Sequence, residues 1–329
     1  MEKTCQLNSF KYKDGIVVRH IFIINPTAGK SSSAVKLIPA IRAAQKKLGA
    51  EAEILITRYS GHAIELARAA AQRGDAVRLY ACGGDGTLNE VLCGAYQARK
   101  CAEGIEVGHI PCGSGNDTIR NFGPAKDFAD IERMMTVGSK LIDLIEANGR
   151  VAASICAAGL DAKVAYNIPL FRRLPLCGGS LAYDLSVLKC LLGKLDYHLT
   201  VECEEGCFED DFILVAVGNG SYYGGGYYSL PTAKVDDGLL NVVLVKKIPL
   251  LRIPPILARY KAGTHFAPDG TVAEDLKNVV IGLDTKEISI RCDNEFFYTA
   301  DGECTRTKEV RVKVLPGAVH FIVPEHSAE

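Results

Sequence analysis

The stretch Val77-Arg-Leu-Tyr-Ala-Cys82-Gly83-Gly84-Asp85-Gly86-Thr87-Leu88-Asn89-Glu90 decides the fold. A strand-like run, Val77–Cys82, enters a turn with three glycines around one acid, and a helical pattern follows from Leu88. Consecutive glycines let the main chain approach a ligand closely and turn its amides toward it. Thr87 with Glu90 three residues on reads as a capping box, which aims a helix N-terminus and its dipole at the same space. A plain turn would need one glycine. The motif therefore reads as a phosphate site, with Asp85 placed for a hydrated cation or a lysine.

The alternation continues on both sides. Arg19–Asn25, Ala52–Thr57 and Glu106–Ile110 read as strands, and Ala34–Leu48 and His62–Arg73 as helices. Strand and helix in turn predict βαβ units and a parallel sheet. Asp14-Gly15 predicts a hairpin turn ahead of it. Ligands of such sheets bind outside the carboxyl ends of the strands, where two more loops fall. Asn25-Pro26-Thr27-Ala28-Gly29-Lys30 is not a Walker A loop, because Ile24 stands where its first glycine is required. Pro111-Cys112-Gly113-Ser114-Gly115-Asn116-Asp117 is followed by Thr118, where a dinucleotide fingerprint needs Gly or Ala. Two Asp-bearing glycine loops on neighbouring strand ends suit nucleotide phosphates, magnesium and water in one cleft.

Beyond Lys140 the texture changes. Leu141–Ala147 and Val151–Cys156 flank Asn148-Gly149 as a hairpin, and Leu195–Cys203 pairs with Phe208–Val217. Leu239–Lys246, Lys286–Cys292, Glu295–Tyr298, Val310–Leu315 and Val319–Val323 continue as strands, interrupted by one helical stretch, Leu181–Leu192. The fold class these residues predict is α/β plus β: a parallel-sheet α/β domain followed by a largely antiparallel β half, a sandwich or an open barrel. The 329 residues, 48% hydrophobic and 23% charged, suit two globular domains and exclude whole-chain disorder. A net charge of −1 supplies no basic field for nucleic acid. Phe212–Val217 and Leu239–Val245 fall far short of the ~18–20 residues of a membrane span. Lys3, Lys11, Lys13 and Arg19 are followed by no apolar signal region, and the twelve scattered Cys read as reduced thiols, so a cytoplasmic protein is expected.

The three loops resemble the diacylglycerol kinase catalytic-domain superfamily, specifically its bacterial soluble lipid kinases. They match its Asn-Pro-x-x-Gly-Lys, Gly-Gly-Asp-Gly-Thr and Pro-x-Gly-(Ser/Thr)-x-Asn-Asp. Asp143, Gly159-Leu160-Asp161-Ala162, Asn219, Gly224-Gly225-Gly226, Asp237-Gly238-Leu239-Leu240, Asp301-Gly302-Glu303 and Leu315-Pro316-Gly317-Ala318 follow in family order, over about Arg19 to Pro324. The resemblance implies transfer of the ATP γ-phosphoryl group to a lipid hydroxyl, with Mg²⁺, in a cleft between a three-layer α/β nucleotide-binding domain (16–142 plus 310–329) and a β-rich lipid domain (143–309), a mainly antiparallel β-sandwich. It implies ATP contacts from Asn25, Pro26, Thr27, Ala28, Gly29, Thr57, Gly84, Asp85, Gly86, Thr87, Leu88, Asn89, Glu90 and Ser114. Lys30, Asp85, Asp117 and Asp143 would form the charged network around the phosphates, and Glu303 the general base. A structural magnesium would use the Asp237 carboxylate with the carbonyls of Lys234 and Leu239. Ser114 stands where Thr is commoner, and Cys112 lies inside the third loop.

Segments 168–176 and 248–257 combine large apolar residues with Arg, a composition suited to transient interfacial docking. The alternative is packing over the β-domain core or lining a subunit interface. Diacylglycerol leads as acceptor. The rival readings are an NAD kinase, which shares the Gly-Gly-Asp-Gly loop, and a non-catalytic lipid-binding protein, which would need no Glu303. A homodimer is the default oligomer.

Overall fold

In a computed structural model that describes residues 18–29, 35–74, 76–101, 104–172, 180–191, 193 and 197–324, the decisive stretch is β3–α3 of a parallel sheet. The Asp14-Gly15 turn, Lys30 and residues 173–176 lie outside the described residues. Contacts divide the chain into Met1–Ile142 with Val319–Glu329, and Asp143–Ala318.

The first unit runs β1 (Arg19–Ile24), α1 (Leu37–Leu48), β2 (Ala52–Ile56), α2 (His62–Ala71), β3 (Val77–Gly83), α3 (Asp85–Ala98), β4 (Ile105–Pro111), α4 (Ala125–Phe128) and α5 (Ile131–Thr136). Its sheet has the order β2-β1-β3-β4, all parallel. The chain returns at its end, where His320 and Phe321 pair parallel with Glu106 and Val107 of β4. Every residue of β3 is buried. A strand covered on both faces carries no polar alternation, which is why Val77–Cys82 looks continuously apolar apart from Arg78. Arg78 is neutralised by Glu106, Nε to Oε2 2.6 Å, at paired positions of β3 and β4.

β5 (Ser139–Ala147) leads into the second unit. There follow β6 (Arg150–Ala152), β7 (Ile155–Gly159), α6 (Leu160–Arg172), α7 (Ser180–Leu191), β8 (Tyr197–Cys203), β9 (Gly206–Gly218), β10 (Tyr222–Tyr223), β11 (Tyr227–Tyr228), β12 (Leu240–Lys246), α8 (Ile253–Ala262), β13 (Val280–Thr285), β14 (Glu287–Ala300) and β15 (Glu303–Ile322). Here the strand order is β13-β12-β9-β7-β14-β15, antiparallel, with β8 beside β9 and β14. Two cores share this sheet. Val215 and Val217 of β9 and Val242 and Leu244 of β12 face one core, with Ile288, Phe296 and Val310. Leu214 and Ala216, with Val243 and Val245, face the other, under residues of α6, α7 and α8. Two-sided burial explains the unbroken apolar run Phe212–Val217.

Three expectations need correction. The second unit carries three α-helices among the described residues, not one. α6 ends in the segment 168–176 and α8 begins in 248–257, where proline masks them; in α8, Pro254 and Pro255 sit in the first turn, where no amide is needed. Val151–Cys156 is not one hairpin arm: β6 pairs with β5, while β7 pairs with β9 and β14. Strands predicted apart are continuous: Lys286–Cys292 and Glu295–Tyr298 belong to one strand, β14, whose register shifts between Arg291 and Phe296, and Val310–Leu315 and Val319–Val323, as far as Ile322, fall on one strand, β15.

Candidate active site

The capping-box reading fails in an informative way. α3 begins at Asp85, three residues early, with Gly84 as N-cap (φ −100°, ψ −170°). Thr87 is therefore inside the first turn, and its Oγ1 accepts from Asn25 Nδ2 at 3.1 Å, tying the first loop to the second. Asn25 Oδ1 in turn accepts from Thr27 N (3.0 Å) and Thr27 Oγ1 (2.8 Å), folding its own loop. Glu90 reaches away from Thr87: its carboxylate accepts from Gly61 N (2.9 Å) and Ala63 N (3.1 Å) and caps α2. Pro26 and Ala28 lie in the turn after β1, closed by Ala28 N to Asn25 O at 3.3 Å, and Gly29 ends it at φ 72°. Thr57 is buried, with N bonded to Ile24 O at 2.9 Å.

The second and third loops are locked together. Asp85 Oδ1 accepts from Asp117 N (2.7 Å) and Thr118 N (3.3 Å), while Gly83 O accepts from Cys112 N (2.7 Å) and Gly113 N (3.2 Å). Gly84 and Gly113 lie back to back: a Cβ on Gly113 would stand 2.5 Å from Gly84 Cα. Gly86 borders open space, with nothing within 4 Å of an added Cβ. The first turn of α3 thus presents its amides and positive dipole end beside a cleared surface. Leu88 and Asn89 are buried beneath it, and Ser114 is exposed on the third loop. Asp117 is buried, 3.3 Å from Arg120 Nε.

The sequence displays Asn116 in the third loop without giving it a role of its own. It sits at φ 55°, its Nδ2 donates to Gly113 O at 2.9 Å, and its Oδ1 is buried without a hydrogen-bond partner among the described residues. An orphaned oxygen at this loop calls for a donor such as a ligand hydroxyl, water or cation. The clue was an Asn after Gly115, since Asn tolerates left-handed backbone. Hard oxygens from Asp85, Asn116 and Asp117 with phosphate oxygens suit Mg²⁺.

In the second unit, Asp143 is buried and fully engaged. Its Oδ2 accepts from Gly238 N and its Oδ1 from Gly317 N, both 2.7 Å, and Asn219 Nδ2 donates to its carbonyl at 2.7 Å. It clamps the Asp237-Gly238 turn to the Gly317 turn. Asp237 is exposed, and its Oδ1 accepts from Leu239 N at 3.1 Å. Among the described residues no cluster of three His, Cys, Asp or Glu is placed to hold a metal. One carboxylate with the Lys234 and Leu239 carbonyls remains a donor set of the hard-cation kind. Glu303 is exposed at the start of β15 and pairs with Arg150, Oε2 to Nη1 2.8 Å. Asp301, two residues before it, accepts from the amides of Ala153 (2.5 Å), Ser154 (3.2 Å) and Ile155 (2.9 Å). That capture breaks the strand between β6 and β7 and fixes the turn that carries Glu303.

Under α8 lies an apolar pocket lined by Leu160, Ile213, Leu214, Ile253, Ile256 and Tyr260. Behind it, the Tyr223 hydroxyl donates to Asp161 Oδ2 and lies 2.6 Å from the Tyr260 hydroxyl. Burial pushes the Asp161 carboxyl up to about 6 against the Tyr223 hydrogen bond, which lowers it.

Loop amides gathered at a helix N-terminus, at the carboxyl end of a parallel sheet, are the arrangement of the phosphotransferase class. Residues 19–147 match the family model of the diacylglycerol kinase catalytic domain, and residues 154–323 that of the YegS C-terminal NAD kinase beta sandwich-like domain. A Shewanella frigidimarina protein described as a YegS-like lipid kinase is 30% identical over 74% of this chain and 75% of its own. A Staphylococcus carnosus diacylglycerol kinase is 26% identical over 83% of this chain and 87% of its own. A Bacillus anthracis crystal structure ascribed to a diacylglycerol kinase has the same fold, with TM-score 0.72 at 24% identity over 93% of this chain and 96% of that one. The chain belongs to the YegS-like lipid kinase family, built on the diacylglycerol kinase catalytic domain.

Proposed function

We propose that this protein transfers the γ-phosphoryl group of ATP to the hydroxyl of a lipid, with diacylglycerol as acceptor and phosphatidic acid as product. The observation that carries the reading is the lock between the second and third loops, Asp85 on the Asp117 and Thr118 amides and Gly83 O on the Cys112 and Gly113 amides. Amides held in advance at a helix N-terminus stabilise phosphate charge without reorganising during the reaction. Asn25 to Gly29, Thr57, Gly84 to Glu90 and Ser114 line the ATP site, with Glu90 acting through its cap on α2. Lys30, Asp85 and Asp117 order its charge, and Asp143 acts through its clamp on Gly238 and Gly317. Asp85 and Asp117 would hold Mg²⁺, which would supply neutralisation of phosphate charge, and the Asp237 carboxylate with the Lys234 and Leu239 carbonyls would hold a second, structural one beside the Asp143 clamp.

Glu303 accepts the proton of the lipid hydroxyl. The hydroxyl oxygen forms the new bond to the γ-phosphorus as the bond to the β-phosphate oxygen breaks, and ADP leaves. The lipid kinase and diacylglycerol kinase descriptions of the relatives favour a lipid over NAD as acceptor. The protein works in the cytoplasm and docks transiently on membranes. Leu250 and Leu251 are 52% and 91% exposed on the turn into α8, beside Arg252, a pattern suited to an interface with anionic lipid. The isoleucines of that segment pack inward: Ile248, Ile253 and Ile256 are buried, while Pro249, Pro254 and Pro255 stay exposed.

The test compares wild type with Glu303→Gln for ATP binding and for label transfer from γ-labelled ATP. The reading expects binding within about twofold and turnover down by at least about 10²-fold. Equal turnover in both would remove Glu303 from its role.

A further inference from the structure

β4 carries a histidine in a strand that otherwise builds the core. His109 is 0% exposed, and its Nε2 lies 3.1 Å from the Gly83 carbonyl oxygen. A carbonyl only accepts, so the ring proton sits on Nε2. Burial lowers the imidazole pKa, which keeps the ring neutral although Asp85 pulls the other way. Nδ1 is buried with no hydrogen-bond partner among the described residues. An orphaned nitrogen costs stability that an aliphatic side chain would not, so packing alone does not account for histidine here.

Three donors converge on Gly83 O: His109 Nε2, Cys112 N and Gly113 N. A trans peptide is planar, so its C=O and the following N–H point in opposite directions. Drawing the Gly83 carbonyl toward β4 and the third loop turns the Gly84 N–H the other way. The residues on both sides of that peptide are glycines, whose backbone rotates at little steric cost. The orientation therefore depends on what grips the carbonyl.

We propose that His109 is a positioning residue: its Nε2–H holds the Gly83 carbonyl so that the Gly84 amide is presented to a nucleotide phosphate. The inference rests on the ATP-site reading above. The experiment measures KM for ATP and for diacylglycerol separately, with melting curves, in wild type, His109→Met and His109→Gln. Met fills the space without a donor; Gln keeps an N–H at similar reach. The expected result is a KM for ATP raised about five- to tenfold in the Met variant, the lipid KM unchanged, and recovery in the Gln variant. If the Met variant does not fold, His109→Asn, a donor too short to reach Gly83, takes its place with the same expectation. A wild-type KM for ATP in the folded Met or Asn variant, ATP and lipid KM rising together, or no recovery with Gln overturns the proposal. Wild type that transfers no phosphate from ATP would instead fail at the ATP-site reading, and the inference would fall with it.

Discussion

Asp301 holds a left-handed backbone (φ 44°) and takes three successive amides on one carboxylate. Asp301→Ala strands those amides and places a methyl side chain in disfavoured backbone, so stability should fall by about 3 kcal/mol, read as a shift in urea midpoint. The sequence displays Asp301 beside Glu303 but not its partners, because a carboxylate's role depends on which amides the fold delivers to it. Asp161 makes the same point through pH. Its folded pKa, about 6, stands above the ordinary 3.8. Between those values the folded state holds a proton that the unfolded chain has released. The group's contribution is thus fully present below pH 4 and lost as pH rises through 6. Asp161→Asn keeps an acceptor for Tyr223 and removes the titration. Its stability gain over wild type should be roughly 3 kcal/mol at pH 7.5 and close below pH 4, measured by denaturant titrations across that range. A pH-independent difference would contradict this origin.

Among the elements, the parallel strands of the first unit are legible because continuous apolar runs and glycine loops mark them. The start of α3 was misplaced because Thr87 and Glu90 have the right spacing for a cap they do not make. Glu90 serves α2 instead, a partner distant in sequence. Glu90→Ala should therefore speed hydrogen exchange at Gly61 and Ala63 and cost about 1–2 kcal/mol. α5, capped by its own Asp130 on Arg133 N, supplies the unaffected control. Gly94 governs how closely α2 and α3 pack: an added Cβ would lie 2.4 Å from Ile64 O and 2.8 Å from Ala67 Cβ. Gly94→Ala should destabilise by about 2 kcal/mol by the same assay. α6 and α8 were illegible because proline and exposed leucine resemble an interfacial loop until the core beneath them is known.

For the whole molecule, no helix among the described residues is long and apolar enough to cross a membrane, and the exposed Leu250 and Leu251 carry the proposed contact with lipid. Leu250→Asp with Leu251→Asp should reduce sedimentation with anionic vesicles by at least about tenfold, while turnover of a short-chain dispersed diacylglycerol persists. Equal loss of both would place those residues in folding instead of docking. The central claim, phosphoryl transfer from ATP to a lipid hydroxyl, is met most directly by one measurement. The protein is incubated with γ-labelled ATP, Mg²⁺ and vesicles containing diacylglycerol, with NAD present, and the labelled products are separated. The account predicts labelled phosphatidic acid; label in NADP with none in any lipid would contradict it.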